Sequence, residues 1–355
     1  MRVGILTSGG DCQALNATMR GLALTLYRNV KDVEIIGFID GYKGLMYEKY
    51  RKMKPKDFYD ILNVGGSILG NSRCPFKRMR IIENGFDKVK AMKNTYKKLE
   101  LDCLVVLGGN GSIKSANMLS QEGLNVIALP KTIDNDAWGT DYTFGYSSAT
   151  AIATRYLDEI KTTASSHSRV FVIEVMGHKV GHICLSAGIA AGADVILLPE
   201  IPYDIKVVAK KVKETLKSEK NYAIIACAEG AISEADALMK RKDYKAKVLA
   251  RNGRSVAYEV ADELSQEIDA EIRVSCIGHA QRGGHPDSYD REISTRFGVE
   301  GARLIIKKHY GEYVVLQGNH VTHIPLEATA GKLKYVDTEG EIVQSAKLVG
   351  ISFGE

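Results

Sequence analysis

Short apolar runs alternate with longer amphipathic stretches over most of the chain. Val3–Leu6, Val33–Phe38, Cys103–Leu107, Val126–Leu129, Val170–Glu174, Val195–Leu198, Ala223–Ala228 and Val274–Ile277 read as strands. Several are apolar on both faces, the pattern of parallel strands with helices packed on each side. Between them, Asn16–Tyr27, Gly85–Leu99, Ser112–Glu122, Ser147–Thr163, Ile205–Ser218 and Arg254–Asp269 have helical length and spacing. Strand alternating with helix predicts an α/β protein. No fixed-period repeat or low-complexity linker interrupts the pattern.

Composition narrows the class. A length of 355 residues suggests two domains. Hydrophobic residues at 45% and charged residues at 26%, with 34 glycines and 7 prolines, exclude a disordered or collagen-like chain. The formal charge of +5 suits an anionic small molecule and falls short of a nucleic-acid footprint. The densest basic run, Lys240, Arg241, Lys242, Lys245, Lys247, Arg251 and Arg254, contains one aromatic, Tyr244, and is read as a solvated helical face. No apolar run approaches the roughly 18 residues of a membrane helix. Residues 1–7 read at once as a strand, without a secretory signal. The six cysteines are scattered, with no Cys-x-x-Cys pair, so reduced thiols and a cytoplasmic protein are expected.

In such sheets ligands gather at the loops leaving the carboxyl ends of the strands. Four candidate strands end in polar, mostly glycine-rich loops: Ser8–Asp11, Gly108–Ser112, Pro130–Asp136 and Gly278–Gly284. They point to one composite site. Glycine pairs before a helix let backbone N–H groups approach a phosphate, although tight strand–helix turns also use glycine for purely structural reasons. No full P-loop is present; in the nearest approach, from Gly65 to Ser72, Asn71 replaces the required lysine. In Lys131-Thr132-Ile133-Asp134-Asn135-Asp136, two carboxylates two residues apart on an extended segment would face one side, one as base and the other toward a metal. The lysine and threonine suit phosphoryl groups; an Asx-turn carrying solvated acids is the alternative. Arg73, Arg169, Arg273 and Arg282 lie near loops or strand ends and would clamp phosphate together. His279 offers a hydrogen bond to a hydroxyl or phosphate.

Together these loops resemble the bacterial-type phosphofructokinases, both ATP- and pyrophosphate-dependent. The resemblance rests on TSGGDCQALNATMRG from Thr7, GGSILGNSRCP from Gly65, GGNGS from Gly108, PKTIDNDAWGTDYTFG from Pro130, SSHSR from Ser165, EVMGHKVG from Glu174, AEGA from Ala228 and GHAQRGGHPDSYDR from Gly278. It implies a two-domain α/β fold of mostly parallel sheets covered by helices, with the active site in the interdomain cleft. A larger, donor-binding domain would comprise 1–145 and 281–331, and a smaller, sugar-phosphate-binding domain 146–280 and 332–355. The implied reaction is phosphorylation of fructose 6-phosphate at its 1-hydroxyl, with Asp134 as general base, Arg73 steadying the transferring group, and Thr132, Asp136 and Lys131 completing the catalytic set. Gly10, Tyr42, Arg73, Cys74, Asn110, Gly111 and Ser112 match donor-binding positions. Thr132, Asp134, Arg169, Met176, Gly177, His178, Glu229, Arg273, His279 and Arg282 match substrate-binding positions. Magnesium would sit at Asn110 and Asp136. Arg169 and Arg273 would reach a neighbouring subunit's site, which implies a homodimer or homotetramer.

The chain departs from the family pattern in three ways: at Asn110, at His178, and in donor markers that disagree. Asn110 replaces an aspartate that supports magnesium, and a neutral carbonyl oxygen holds that ion less well. His178 replaces an arginine, removing a permanent charge. Gly111 is typical of ATP users, whereas Lys131 is typical of pyrophosphate users. A clash excludes a donor more firmly than an extra cation does, so ATP is favoured, with the reversible pyrophosphate-dependent enzyme as the alternative. A catalytically impaired sugar-phosphate-binding subunit is the third possibility. The effector positions of the family are also depleted of cations. Arg20 is present, but Leu24, Lys161 and Ser218 stand where arginine, arginine and lysine are usual. Initial rates are therefore expected to stay flat against ADP or phosphoenolpyruvate; sigmoidal kinetics relieved by ADP would contradict this.

Overall fold

The computed structural model describes residues 1–329 and 331–355. The chain divides into two compact units, residues 1–148 with 282–334, and residues 149–281 with 335–355. The strands are β1 (Arg2–Ser8), β2 (Glu34–Phe38), β3 (Tyr50–Met53), β4 (Cys103–Gly108), β5 (Val126–Pro130), β6 (Val170–Val175), β7 (Val195–Leu197), β8 (Ala223–Ala228), β9 (Ile272–Cys276), β10 (Glu312–Gln317) and β11 (His320–Pro325).

The first unit holds a seven-stranded sheet in the order β11-β10-β5-β4-β1-β2-β3. The strands from β10 to β2 pair in parallel, and the edge strands β11 and β3 pair antiparallel. Its core packs Leu6, Phe38, Leu104, Val106, Ala128 and Tyr313, among others, beneath the covering helices. The second unit holds a four-stranded parallel sheet, β7-β8-β6-β9, over a core that includes Val172, Val195, Ile225, Val260 and Leu264. The α/β class inferred from the alternation is the class observed.

All eight expected strands form, Ala223–Ala228 with the expected bounds and the other seven with shifted ends. β9 starts before its apolar run, and its residues are largely half-exposed. β3 and β11 were not anticipated: both are edge strands without two buried faces, so they carry no continuous apolar run. β10 was also missed, although its run Tyr313–Leu316 is apolar and buried. The basic segment is only partly a solvated face. No residue of the helix Arg241–Ala250 is buried, but Lys247 pairs with buried Asp236 at 2.6 Å and Arg251 with Glu259 at 2.5 Å. These pairs bind the segment to its own unit. No helix among the described residues is long and apolar enough to cross a membrane.

Two helices of the first unit, Leu15–Asn29 and Ser288–Ile306, meet backbone to backbone. A Cβ on Gly298 would lie 2.3 Å from the Thr18 carbonyl oxygen and 2.6 Å from the Leu22 nitrogen. A Cβ on Gly21 would lie 2.6 Å from the Thr295 carbonyl oxygen. Neither contact can be relieved by turning a side chain. Gly298→Ala should therefore destabilise the fold by about 1–3 kcal/mol, although alanine is the better helix former by about 1 kcal/mol. Urea unfolding checks this: an unchanged or raised midpoint would show that the helices separate freely.

Candidate active site

In the first unit β5, β4 and β1 are neighbours whose ends lie level, with Ser8 beside Gly108 and Gly108 beside Pro130. The direction of winding reverses between β4 and β1, the place where open α/β sheets collect ligands. The helix Asn110–Gln121 starts there, with Gly109 as its cap. Its first backbone bond runs from Ser112 N–H to the Gly109 carbonyl, so the amides of Asn110 and Gly111 precede the hydrogen-bonded turn and can cradle an anion. Gly108 is required by space, since a Cβ there would sit 2.3 Å from Ser112 Cβ. At Gly111 a Cβ would enter open space. Buried Tyr42 donates its hydroxyl to the Ser112 carbonyl at 2.8 Å. The Arg73–Cys74 segment joins the site because Gly9 N–H donates to the Ser72 carbonyl at 3.1 Å. The Gly65–Ser72 loop runs on to a short 3-10 turn, Phe76–Arg78, and not directly into an α-helix, so it does not build a P-loop.

Lys131 is buried, and its ammonium donates to the Gly10 carbonyl. Burial pulls its pKa below the usual lysine range; Cys12 acts the other way, Arg282 deepens the drop, and Asp134 and Asp11 offset part of it. Burial pushes the Cys12 thiol up to about 12, so it is no nucleophile. Arg282 donates to the Asp11 carbonyl at 2.9 Å, and a Cβ on Gly10 would come within 2.8 Å of that guanidinium.

The two acids do not lie on an extended segment. Asn135, between them, has φ of +52°, so strand alternation does not set where they point. Its side chain fixes this turn: Oδ1 accepts from Thr143 N–H at 3.1 Å, and Nδ2 donates to the Asp141 carbonyl at 3.4 Å. Asp134 lies in the field of Lys131, and its backbone N–H donates to Thr132 Oγ1 at 3.1 Å. Asp134 Oδ1 is shielded from water and has no partner. Buried Asp136 instead lies in the fields of Tyr313 and Lys334.

Residues 331–334 cross this region and escaped the sequence analysis. Asn110 Nδ2 donates to the Lys332 carbonyl at 2.8 Å, Leu333 bridges Ala137, and Lys334 N–H donates to the Asp136 carbonyl at 2.9 Å. The Lys334 ammonium donates to the carbonyls of Thr140 and Asp141; burial pulls its pKa down to about 8, while Asp141 and Asp136 act to raise it. With its nitrogen engaged, Asn110 offers Oδ1 to a cation. That oxygen and the Asp136 carboxylate form the type of donor set magnesium takes.

In the second unit, Met176, Gly177 and His178 follow the carboxyl end of β6, Glu229 follows β8, and His279 follows β9. Parallel pairing of β8, β6 and β9 gathers these loops at one end of the sheet. Gly177 has no room for a side chain, since a Cβ would lie 2.4 Å from the Val180 carbonyl oxygen. His178 is exposed in a left-handed conformation, φ +53°. Arg169 and Arg273 lie toward the other end. Arg169 precedes β6, seven residues from Met176, a strand length of about 23 Å. Glu271 pairs with both arginines, its Oε2 2.8 Å from Arg169 Nε and its Oε1 against Arg273. The sheet thus separates these two arginines from the other sugar-phosphate candidates of their own unit.

A family profile described as Phosphofructokinase matches residues 2–305. The ATP-dependent 6-phosphofructokinase of Spirochaeta thermophila is 47% identical over 99% of this chain and 97% of its own. ATP-dependent 6-phosphofructokinase 3 of Bacteroides thetaiotaomicron is 42% identical over 100% of both. Among solved structures, phosphofructokinase from Saccharomyces cerevisiae matches with a TM-score of 0.80 at 28% identity, covering 93% of this chain and 45% of that one. A pyrophosphate-dependent phosphofructokinase from Marinobacter aquaeolei shares the fold, with a TM-score of 0.79 at 18% identity over 99% of this chain and 91% of that one. The chain belongs to the phosphofructokinase family.

The turn at Asn135 can be tested directly. Asn135→Ala forces alanine into a left-handed conformation and removes the buried bonds, so it should cost about 2–3 kcal/mol in urea unfolding. Asn135→Gly keeps the conformation accessible and should cost less. Equal losses from the two would show that backbone conformation at this residue is unimportant.

Proposed function

We propose that this chain is an ATP-dependent 6-phosphofructokinase that converts fructose 6-phosphate to fructose 1,6-bisphosphate in glycolysis. The observation that carries the assignment is Asp134 Oδ1, shielded from solvent and without a partner beside the glycine loops. A buried acceptor of this kind costs about 1–3 kcal/mol unless a ligand satisfies it, and a sugar hydroxyl supplies the missing donor. Asp134 takes the proton of the 1-hydroxyl as that oxygen bonds to the γ-phosphorus. The bond from the γ-phosphorus to the bridging oxygen breaks, and its electron pair leaves with ADP.

The first unit binds the donor. First-turn amides at Asn110 and Gly111, with Ser112, Gly10, Tyr42 and Cys74, surround the phosphates and nucleoside, while Arg73 and Thr132 steady the charge on the transferring group. Asp136 and Asn110 Oδ1 would hold magnesium, which would neutralise phosphate charge when bound. Met176, Gly177, His178, Glu229, His279 and Arg282 serve the sugar phosphate. Arg169 and Arg273 serve a neighbouring subunit in a homo-oligomer. ATP is supported over pyrophosphate by the open space at Gly111 and by relatives of 37–47% identity that are named ATP-dependent. The Lys131 ammonium, the feature favouring pyrophosphate, is already engaged by the Gly10 carbonyl.

Purified protein with fructose 6-phosphate and magnesium should form the bisphosphate with ATP and not with pyrophosphate. Asp134→Ala should lower kcat by about 10²–10⁴-fold, as for loss of a general base, with little change in fructose 6-phosphate binding. Turnover close to wild type would remove Asp134 from this role, and turnover with pyrophosphate alone would reverse the donor.

A further inference from the structure

Away from these loops, the first unit gathers two imidazoles and a carboxylate where the helix Ser288–Ile306 runs out against the β10–β11 hairpin. His309 lies three residues before Glu312, the first residue of β10. Antiparallel pairing sets Glu312 opposite Pro325 and Val314 opposite His323, so Glu312 and His323 are diagonal neighbours on one face, within reach of long side chains. One donor atom from each of His309, Glu312 and His323 lies within 4.8 Å of the others. His309 Nε2 is 3.2 Å from Glu312 Oε1, and the two imidazoles meet edge to face with centroids 5.2 Å apart.

Two features of this cluster call for a cation. Glu312 is buried, with 8% of its surface exposed, and pairs with His309, which is itself a cation only when protonated. Nδ1 of His323 is shielded from water without a hydrogen bond, although Glu300 Oε1 stands 3.4 Å away.

We propose that His309, Glu312 and His323 bind a divalent transition-metal ion of the zinc type, with Glu300 as a supporting carboxylate. Two imidazoles and one carboxylate are a zinc donor set, and imidazole nitrogen selects against the magnesium that accompanies a nucleotide. Metal–ligand bonds of about 2.1 Å place tetrahedral ligands roughly 3.4 Å apart. The His309–Glu312 separation already matches this edge. The other two separations, neither beyond 4.8 Å, close by side-chain rotation within the cluster, where His309 is more than half exposed. The ion would join the end of the helix to β10 and to the edge strand β11, a structural role separate from phosphoryl transfer.

The test uses the full chain, stripped with EDTA, exposed to zinc chloride and passed through gel filtration. Wild type should retain one zinc per chain at this site and gain thermal stability. His309→Ala and His323→Gln should each lose that ion and its stabilisation while melting like metal-free wild type. Glu300→Gln should weaken zinc binding by about 10–100-fold, as loss of a supporting carboxylate does. Cobalt(II) substitution in wild type should give the visible absorption of tetrahedral nitrogen–oxygen ligation. No retained zinc in wild type, or retention at the wild-type level by both histidine variants, would overturn the proposal.

Discussion

A lysine ammonium shut away from water has to be answered by its immediate surroundings, and Lys131 imposes that demand on the loops of the first unit. The bond to the Gly10 carbonyl ties the loop after β5 to the loop after β1. Gly9 holds a φ of +91° beside the same ammonium, a conformation that favours glycine in the loop covering it. Arg282, whose positive charge opposes Lys131, turns its guanidinium to the Asp11 carbonyl. Asp134 completes the balance: its charge favours the ammonium, yet one of its oxygens is left without a partner. The geometry at the end of the sheet is largely the solution to this single buried charge.

The sheet was legible in β1, β4, β5, β6 and β8 because each carries an unbroken apolar run, whereas β10 was missed although its run Tyr313–Leu316 is equally buried. Edge strands β3 and β11 were not legible, since one exposed face removes the continuous apolar signal. The candidate chemistry showed a similar division. Residue types in Lys131–Asp136 pointed to acid–base and phosphoryl contacts, but the left-handed turn at Asn135 comes from bonds to Thr143 and Asp141 that spacing alone does not reveal. Lys334 enters the same neighbourhood from almost two hundred residues away, and no local motif announces it.

Charge was harder to place than apolarity. Lys247 and Arg251 looked like part of a solvated run because their neighbours are exposed, yet each reaches an acid on a nearby helix. A basic side chain with a long apolar stem satisfies either environment, and only the partner decides which one it adopts. His309 and His323 were passed over for the opposite reason. They are separated in sequence and become neighbours only through the β10–β11 register and the chain reversal after the helix.

At the starting edge of the second sheet, Glu271 gives Arg169 and Arg273 a resident anion. Glu271 already takes Arg169 Nε and one terminal nitrogen of Arg273, so a further anion there competes with a resident carboxylate. A free carboxylate offers no more charge than the one it must displace. A phosphate monoester brings close to two negative charges and three acceptor oxygens. A phosphate monoester therefore competes with Glu271 for this arginine pair better than a singly charged carboxylate does.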